Sequence, residues 1–442
     1  MKLGQAREAL HILEELHETH PNHTLLLEST ASLYLIENKP KKAKPLIEKL
    51  MREVGETPAV LQLLGDFQIQ QSNWTAANAT YYKLLAQSPQ SRQYQEAYAQ
   101  TLSGLRRWSE AKRMYKTIVG ASKTQNPILV SDYLNVVEQG SPQLQGRFTY
   151  YHRPSGQRDT VLQEGGEFWL YPWLQMGVGL SEEYYTRRAI GDLPVTRKFL
   201  FSHNLEARLF YASLAKLSLR WRETYYDHET FPEFGVTLQL EKGIWRGEIA
   251  YEWNHVARDP IEGLDKHGLV DHFKVQNSLL LFKRIEVGHQ FLAEWFRLQN
   301  GFRNQINGSD HLGYKLTNDL YAQYKILDKP NLYIRYQYRD GSWDKKFPNA
   351  EQVIDYLAEV QEHSGGFYMD QRFGPYVELR GGIIRGSDRK RDANFVIWLA
   401  EADIRIKDSM MLTLSYEYDY GDSGTAGSGN SSVSSINFKW FF

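Results

Sequence analysis

Cysteine is missing from the 442 residues. Its absence excludes a disulfide framework, a thiol nucleophile and a cysteine-based zinc site. No apolar run reaches roughly 18 residues, the length a transmembrane helix needs. Charge is balanced to a formal net of −1. The electrostatic footprint of a nucleic-acid partner is therefore absent, and no nucleic acid is expected. There is no glycine-rich phosphate loop ahead of a helix, and no nucleophile elbow. Met1 to Leu10 lack a basic start followed by an apolar stretch, so no signal peptide is read there.

What is plentiful is aromatic. The chain has 28 Tyr and 11 Trp, although its mean hydropathy is −0.54. From Gly146 onward, apolar and polar residues alternate in runs of about ten, with turn signals between them. In Asn331 to Arg339, Leu332, Ile334, Tyr336 and Tyr338 share one face, while Tyr333, Arg335, Gln337 and Arg339 share the other. Strand after strand puts charges on one face and aliphatics with terminal aromatics on the other. That is the pattern of a transmembrane barrel with an apolar outside, a polar inside and aromatic girdles. Sixteen strands are counted between 146 and 442. Seven connections are tight, such as Lys242-Gly243 and Gly374-Pro375, and they alternate with longer ones such as 258–269, 300–309 and 421–430. An even strand number puts both ends of the barrel on the short-turn side, expected to be periplasmic, with the long loops outside.

Alternation assigns the lumen lining. On the first half of the barrel it selects Glu206, Arg208, Arg220, Arg222, Arg246, Glu248, Glu252, Glu286 and Glu294. On the second half it selects Asp319, Tyr321, Tyr333, Arg335, Arg339, Asp370, Arg372, Glu378, Arg380, Glu401, Asp403, Arg405, Glu417 and Asp419. Mixed rings of this kind either set what passes through a pore or pair across neighbouring strands. The lumen tyrosines Tyr185, Tyr321, Tyr333, Tyr368 and Tyr376, with Trp169, offer stacking platforms for a sugar or simply pack in the wall. The longest connection, 342–364, carries Val353, Ile354, Leu357 and Val360 at helical spacing. It is expected to form a short amphipathic helix, serving as a surface cap or as an exit gate.

Residues 1–140 are helical and repetitive. Ala9, Ala43, Ala77 and Ala111 are spaced by 34, as are Trp74 and Trp108, and Tyr81 and Tyr115. With Leu64-Gly65 and Pro89, the third unit resembles the tetratricopeptide repeat, departing from it at Gln68 and Leu84. Small residues let paired helices approach, and the aromatic fills the gap to the next unit. The phase makes Leu3-Gly4 a turn within a repeat, so further repeats are expected before Met1. A helix from Pro127 caps the stack, and Gly140-Ser141-Pro142 ends it. The expected architecture is an α-solenoid of tetratricopeptide repeats over 1–140, then a 16-stranded antiparallel transmembrane β-barrel over 141–442.

Enzymatic readings find little support. Glu248/Glu252 and Glu401/Asp403 are carboxylate pairs, but spacing along a strand does not fix their separation. His17, His20 and His23 cluster near a helix end without a further ligand. No catalytic residue, cofactor or metal is expected. The last strand, Ile436 to Phe442, ends on Phe and resembles the sorting signal of bacterial outer-membrane proteins. Phased repeats running into a C-terminal barrel resemble the outer-membrane exopolysaccharide exporters of the Pel, poly-N-acetylglucosamine and bacterial cellulose systems. The resemblance implies a polysaccharide conduit in the outer-membrane lipid, with periplasmic repeats that bind polymer-modifying or scaffold proteins. The competing expectation is a surface receptor, adhesin or assembly platform with a plugged barrel.

Overall fold

The computed structural model describes residues 3–20, 22–121, 126–153, 157–187, 195–211, 214–257, 268–282, 284–298, 311–345, 359–390, 392–423, 427–428 and 430–442. The chain divides into two compact units, Met1–Gly140 and Ser141–Phe442.

The first unit is helical: α1 (Leu3–Thr19), α2 (Thr24–Ile36), α3 (Pro40–Glu53), α4 (Pro58–Gln70), α5 (Trp74–Gln87), α6 (Arg92–Gly104), α7 (Trp108–Gly120) and α8 (Pro127–Gly140). Local chemistry sets several starts. Thr57 caps α4 by accepting from the Val60 amide, with Pro58 at its first turn, and Asn73 caps α5 through the Ala76 amide. Both satisfy amides the helix leaves orphaned. The 34-residue period is visible in the backbone itself. Asn38, Ser72 and Arg106, each 34 apart, all turn the chain at φ near +55°, a left-handed conformation uncommon for residues with a side chain. Ala43, Ala77 and Ala111 are fully buried. Tyr81 lies over Gly65, where a Cβ would come within 2.6 Å of its ring, and its hydroxyl donates to Asp66 at 2.5 Å. The small residue and the aromatic are complementary halves of one contact.

The second unit is a closed antiparallel sheet. Its strands are β1 (Gln143–His152), β2 (Gln157–Tyr171), β3 (Leu174–Arg187), β4 (Thr196–Tyr211), β5 (Ala215–Tyr226), β6 (Glu229–Lys242), β7 (Trp245–Val256), β8 (Gly268–Leu281), β9 (Ile285–Leu298), β10 (His311–Asp328), β11 (Asn331–Lys345), β12 (Val360–Phe373), β13 (Val377–Asp388), β14 (Ala393–Lys407), β15 (Met410–Ser423) and a closing strand, Ser431–Phe441. Gly427–Ser428 adds a short rung to the end of β15. Each strand pairs with its sequence neighbours, and the closing strand pairs with β1 from Gln143↔Phe441 to His152↔Ser432. The result is a sixteen-strand barrel with no free edge, which a membrane demands because lipid satisfies no backbone group.

The outer face is apolar and exposed. Leu205, Leu219, Val236, Ile249, Leu320, Ile334, Phe367 and Trp398 all point away from the lumen. Aromatics bracket this band. Tyr171 stacks on Trp173 at 5.3 Å and Trp440 meets Phe442 at 4.9 Å near the turns. Tyr184 meets Phe199 at 4.8 Å near the loops. The band has polar breaks, among them His203 and Glu223, 3.2 Å apart on β4 and β5, and His289 and Asn318, 3.3 Å apart on β9 and β10.

Two details depart from the sequence reading. Residues Val360 to Ser364 are the start of β12, not part of a loop helix: Val360 pairs with Gly341 and Arg339 with Glu362. Val360 is buried on the lumen side, in the row that contains Glu362, so it is strand lining and no part of an amphipathic helix. The connection shrinks to 346–359, and Val353, Ile354 and Leu357 lie outside the described residues. The link from β5 to β6 is also tight, because Asp227 and His228 turn it at φ +49° and +67°. One connection at the loop end is therefore as short as those at the turn end.

Candidate functional site

Inward and outward residues alternate on every strand, so the sheet itself positions the lumen side chains. At the turn end, and up to mid-height, the lumen is a ladder of ion pairs across neighbouring strands. Arg208 reaches Glu206 at 2.7 Å and Glu167 at 2.9 Å. Lys274 holds Glu248 at 2.8 Å, and Gln239 donates to the same carboxylate at 2.7 Å. Arg220 meets Glu252 at 2.5 Å, and Arg222 meets Glu183 at 2.8 Å. Arg246 pairs loosely with Glu241 at 3.3 Å in the open.

The second half of the wall is denser. Arg380 is a hub that bonds Glu378 at 3.1 Å, Asp403 at 2.5 Å and also Glu401. Arg372 takes the other side of Glu378 at 2.8 Å, and Thr413 donates to Asp403 at 2.6 Å. Arg339 bridges Asp319 at 2.9 Å and Glu362 at 3.3 Å. Asp370 accepts from Asn331. Arg405 donates to the Asp408 carbonyl and lies 5.3 Å from the Phe441 ring centre. The carboxylates Glu401 and Asp403 that suggested a pair on sequence are both engaged by one guanidinium.

The lumen tyrosines divide by environment. Tyr321 donates to Glu286 at 2.8 Å and carries Arg335 stacked 4.2 Å over its ring. Tyr333 and Tyr368 are directly opposed across β11 and β12. Tyr185 donates to Glu183 at 2.6 Å, and Trp169 packs on Phe210 at 5.0 Å. Tyr376 sits in the turn before β13 and is exposed.

Towards the loops the lining changes character. Tyr185, Leu200, Tyr226, Phe231, Val256 and Leu269 form one buried apolar cluster on inward positions of β3 to β8. Phe296 and Trp343 meet at 5.5 Å further round, and Val360 and Phe395 are buried there too. The charged side chains at this level, Asp159, Glu183, Arg187, Glu233, Glu294, Asp388 and Asp419, are buried as well. Neighbours engage several of them: His255 lies 2.7 Å from Glu233, Thr224 donates to the same carboxylate, and His272 stands 3.5 Å from Glu294. The lumen therefore has a wet, charged tier near the turns and a dry tier near the loops. Sequence reasoning missed the dry tier by equating inward with polar. The signal was present, since Leu200 shares parity with Glu206, and Phe296 with Glu294. Among the described residues, no group of three or more His, Asp or Glu is placed to hold a metal.

No family model matches the sequence, and neither does any curated protein sequence. Solved structures do resemble it. One described as a "Bacterial polysaccharide outer membrane secretin" superposes with a TM-score of 0.52 at 11% identity, covering 68% of this chain and 98% of that one. The outer membrane protein OprD from Pseudomonas aeruginosa gives a TM-score of 0.37 at 9% identity over 68% of this chain and 93% of its own. A tetratricopeptide repeat protein from Parabacteroides merdae gives 0.28 at 14% identity over 31% and 54%. The first of these likenesses is one of barrel fold.

Proposed function

We propose that the chain is an outer-membrane pore that exports a polysaccharide, with its N-terminal helices acting as periplasmic tetratricopeptide repeats. The repeats recruit polymer-modifying or scaffold proteins, and the long connections face the outside. The reading is non-enzymatic. Its main support is the charged, solvent-accessible lower tier inside a closed sixteen-strand wall. Eight strands would already fill the interior with side chains, whereas sixteen leave space to conduct. The 34-residue backbone period of the helical unit supports the repeat reading, and the barrel likeness to the polysaccharide secretin supports the choice of cargo. A chain of hydroxyls suits a lumen of paired charges, because it exchanges hydrogen bonds along the ladder without one tight site.

A second reading rests on the dry upper tier. A barrel closed at its loop end serves equally as the anchor of a receptor, an adhesin or an assembly platform. Planar-bilayer recordings on the full chain separate the two. Discrete conductance steps, reduced by polysaccharide fragments added on the turn side, are expected of the export pore. A silent bilayer at every voltage, with export of surface polymer intact in cells lacking the chain, leaves the plugged barrel.

A further inference from the structure

The charge ladder has a gap. Most lumen carboxylates and guanidiniums are matched, yet Arg147, Arg335 and Glu417 have no ion-pair partner among the described residues. All three line one cavity of about 580 Å³ in the barrel wall, together with Tyr333 and Tyr368. That volume lies within the range of small-ligand sites. The Arg335 Nε is buried without a hydrogen-bond partner, and its guanidinium lies 4.2 Å from the Tyr321 ring centre. A buried donor left unmatched is costly, and a ligand oxygen would satisfy it. Gly382 underlies Tyr368, and a Cβ there would come within 3.0 Å of the ring.

We propose that this cavity is a subsite for one uncharged pyranose unit of a passing polysaccharide. The inference rests on the export reading above and names the class of sugar it takes. Tyr333 and Tyr368, opposed across one rung, offer aromatic faces to the C–H face of the ring. Glu417 accepts from sugar hydroxyls, while Arg147 and Arg335 donate to hydroxyl or substituent oxygens. The mixed sign selects the class. A uronate would meet Glu417 and an ammonium sugar would meet two arginines, whereas hydroxyls both donate and accept and so satisfy all three groups.

The test titrates purified full-length protein in detergent with cellopentaose, a galacturonate pentamer and a glucosamine pentamer, using calorimetry. Cellopentaose is expected to bind about tenfold more tightly than either charged pentamer, a difference of about 1.4 kcal/mol. Tyr368→Ala and Glu417→Gln are each expected to weaken it about tenfold, with barrel folding verified by heat-modifiable gel mobility. Glu417→Gln is also expected to improve galacturonate binding. Failure of the wild type to bind any pentamer overturns the subsite, while the export reading stands or falls on the bilayer recordings. Cellopentaose bound equally by the wild type and both variants overturns the subsite and leaves the conduit standing. A charged pentamer preferred by the wild type overturns the sugar class.

Discussion

Removing the packing of the dry tier should open the barrel. Leu200 and Phe231 belong to its apolar cluster and are 0% and 2% exposed. Truncating a buried Leu to Ala costs about 2–5 kcal/mol, and Phe to Ala about 3–5, because transfer and cavity terms add. The two share one cluster, so their effects will not sum, and couplings of about 0.5–3 kcal/mol are usual between such neighbours. The backbone ladders that close the barrel are untouched, so the loss falls on the closed arrangement of the lumen. If only about 2.8 kcal/mol of it comes off the closed state, the open-to-closed ratio rises about a hundredfold, since about 1.4 kcal/mol is a factor of ten. Apolar constrictions conduct once they wet, so the Leu200→Ala/Phe231→Ala variant should show larger and longer conductance steps in planar bilayers. Leu219→Ala, on the outward face and 42% exposed, should leave conductance unchanged. A correctly folded double variant with wild-type conductance would refute the idea that this tier closes the lumen.

Other expectations concern both units. Ala77→Arg forces a long charged chain into a fully buried contact and should cost the helical unit several kcal/mol, about 2–5 by overpacking and charge burial. Circular dichroism would show helix melting early while the barrel keeps its heat-modifiable mobility. Burial raises the Asp66 carboxyl above its ordinary value, against the hydrogen bonds it accepts from Tyr81 and Gln62. The folded helices then hold that proton more tightly than the unfolded chain does, so this group's contribution falls as pH rises through the ordinary carboxylate range towards its raised value. Asp66→Asn should flatten the pH dependence of the helical melt there, and an unchanged slope would refute the assignment. With no native cysteine, a Cys placed at Ser428 should react with an impermeant label on intact cells, while one at Lys329 should require permeabilisation; the reverse pattern would invert the topology.

Period and punctuation carried much of the architecture. Alternation over Asn331 to Arg339 is enough to separate Ile334, facing out, from Arg335, facing in, because a strand offers only two faces. The 34-residue spacing of Ala43, Ala77 and Ala111 predicted burial that the helices realise. What lay beyond one-dimensional reading is lateral. Arg208 on β4 finds Glu167 two strands away on β2, and Arg335 finds no carboxylate partner among the described residues; register across strands decides both. Val360 illustrates the opposite failure. Four apolar residues at helical spacing satisfied a pattern, but the last of them was already committed to the β11 ladder opposite Gly341. Short apolar runs do not distinguish the two periodicities. The apolar inward ends of β4, β9 and β14 were legible in parity and were passed over because a wet lumen was assumed.

The ladder between β1 and the closing strand has a consequence for how the molecule is made. Its rungs join the first strand of the barrel to the last, so the most sequence-distant pairing in the unit is also the seam. Until Phe441 arrives opposite Gln143, β1 keeps a full row of unpaired amides and carbonyls. Such an edge templates pairing with other chains in water and is costly in lipid. Biogenesis must therefore shield one particular strand, the one immediately after the helical unit, for the whole time the remaining fifteen are being laid down. A catalyst of insertion that engages the closing strand would complete the wall in its final act, and truncating Ser431–Phe441 would strand the barrel with two open margins, at β1 and β15.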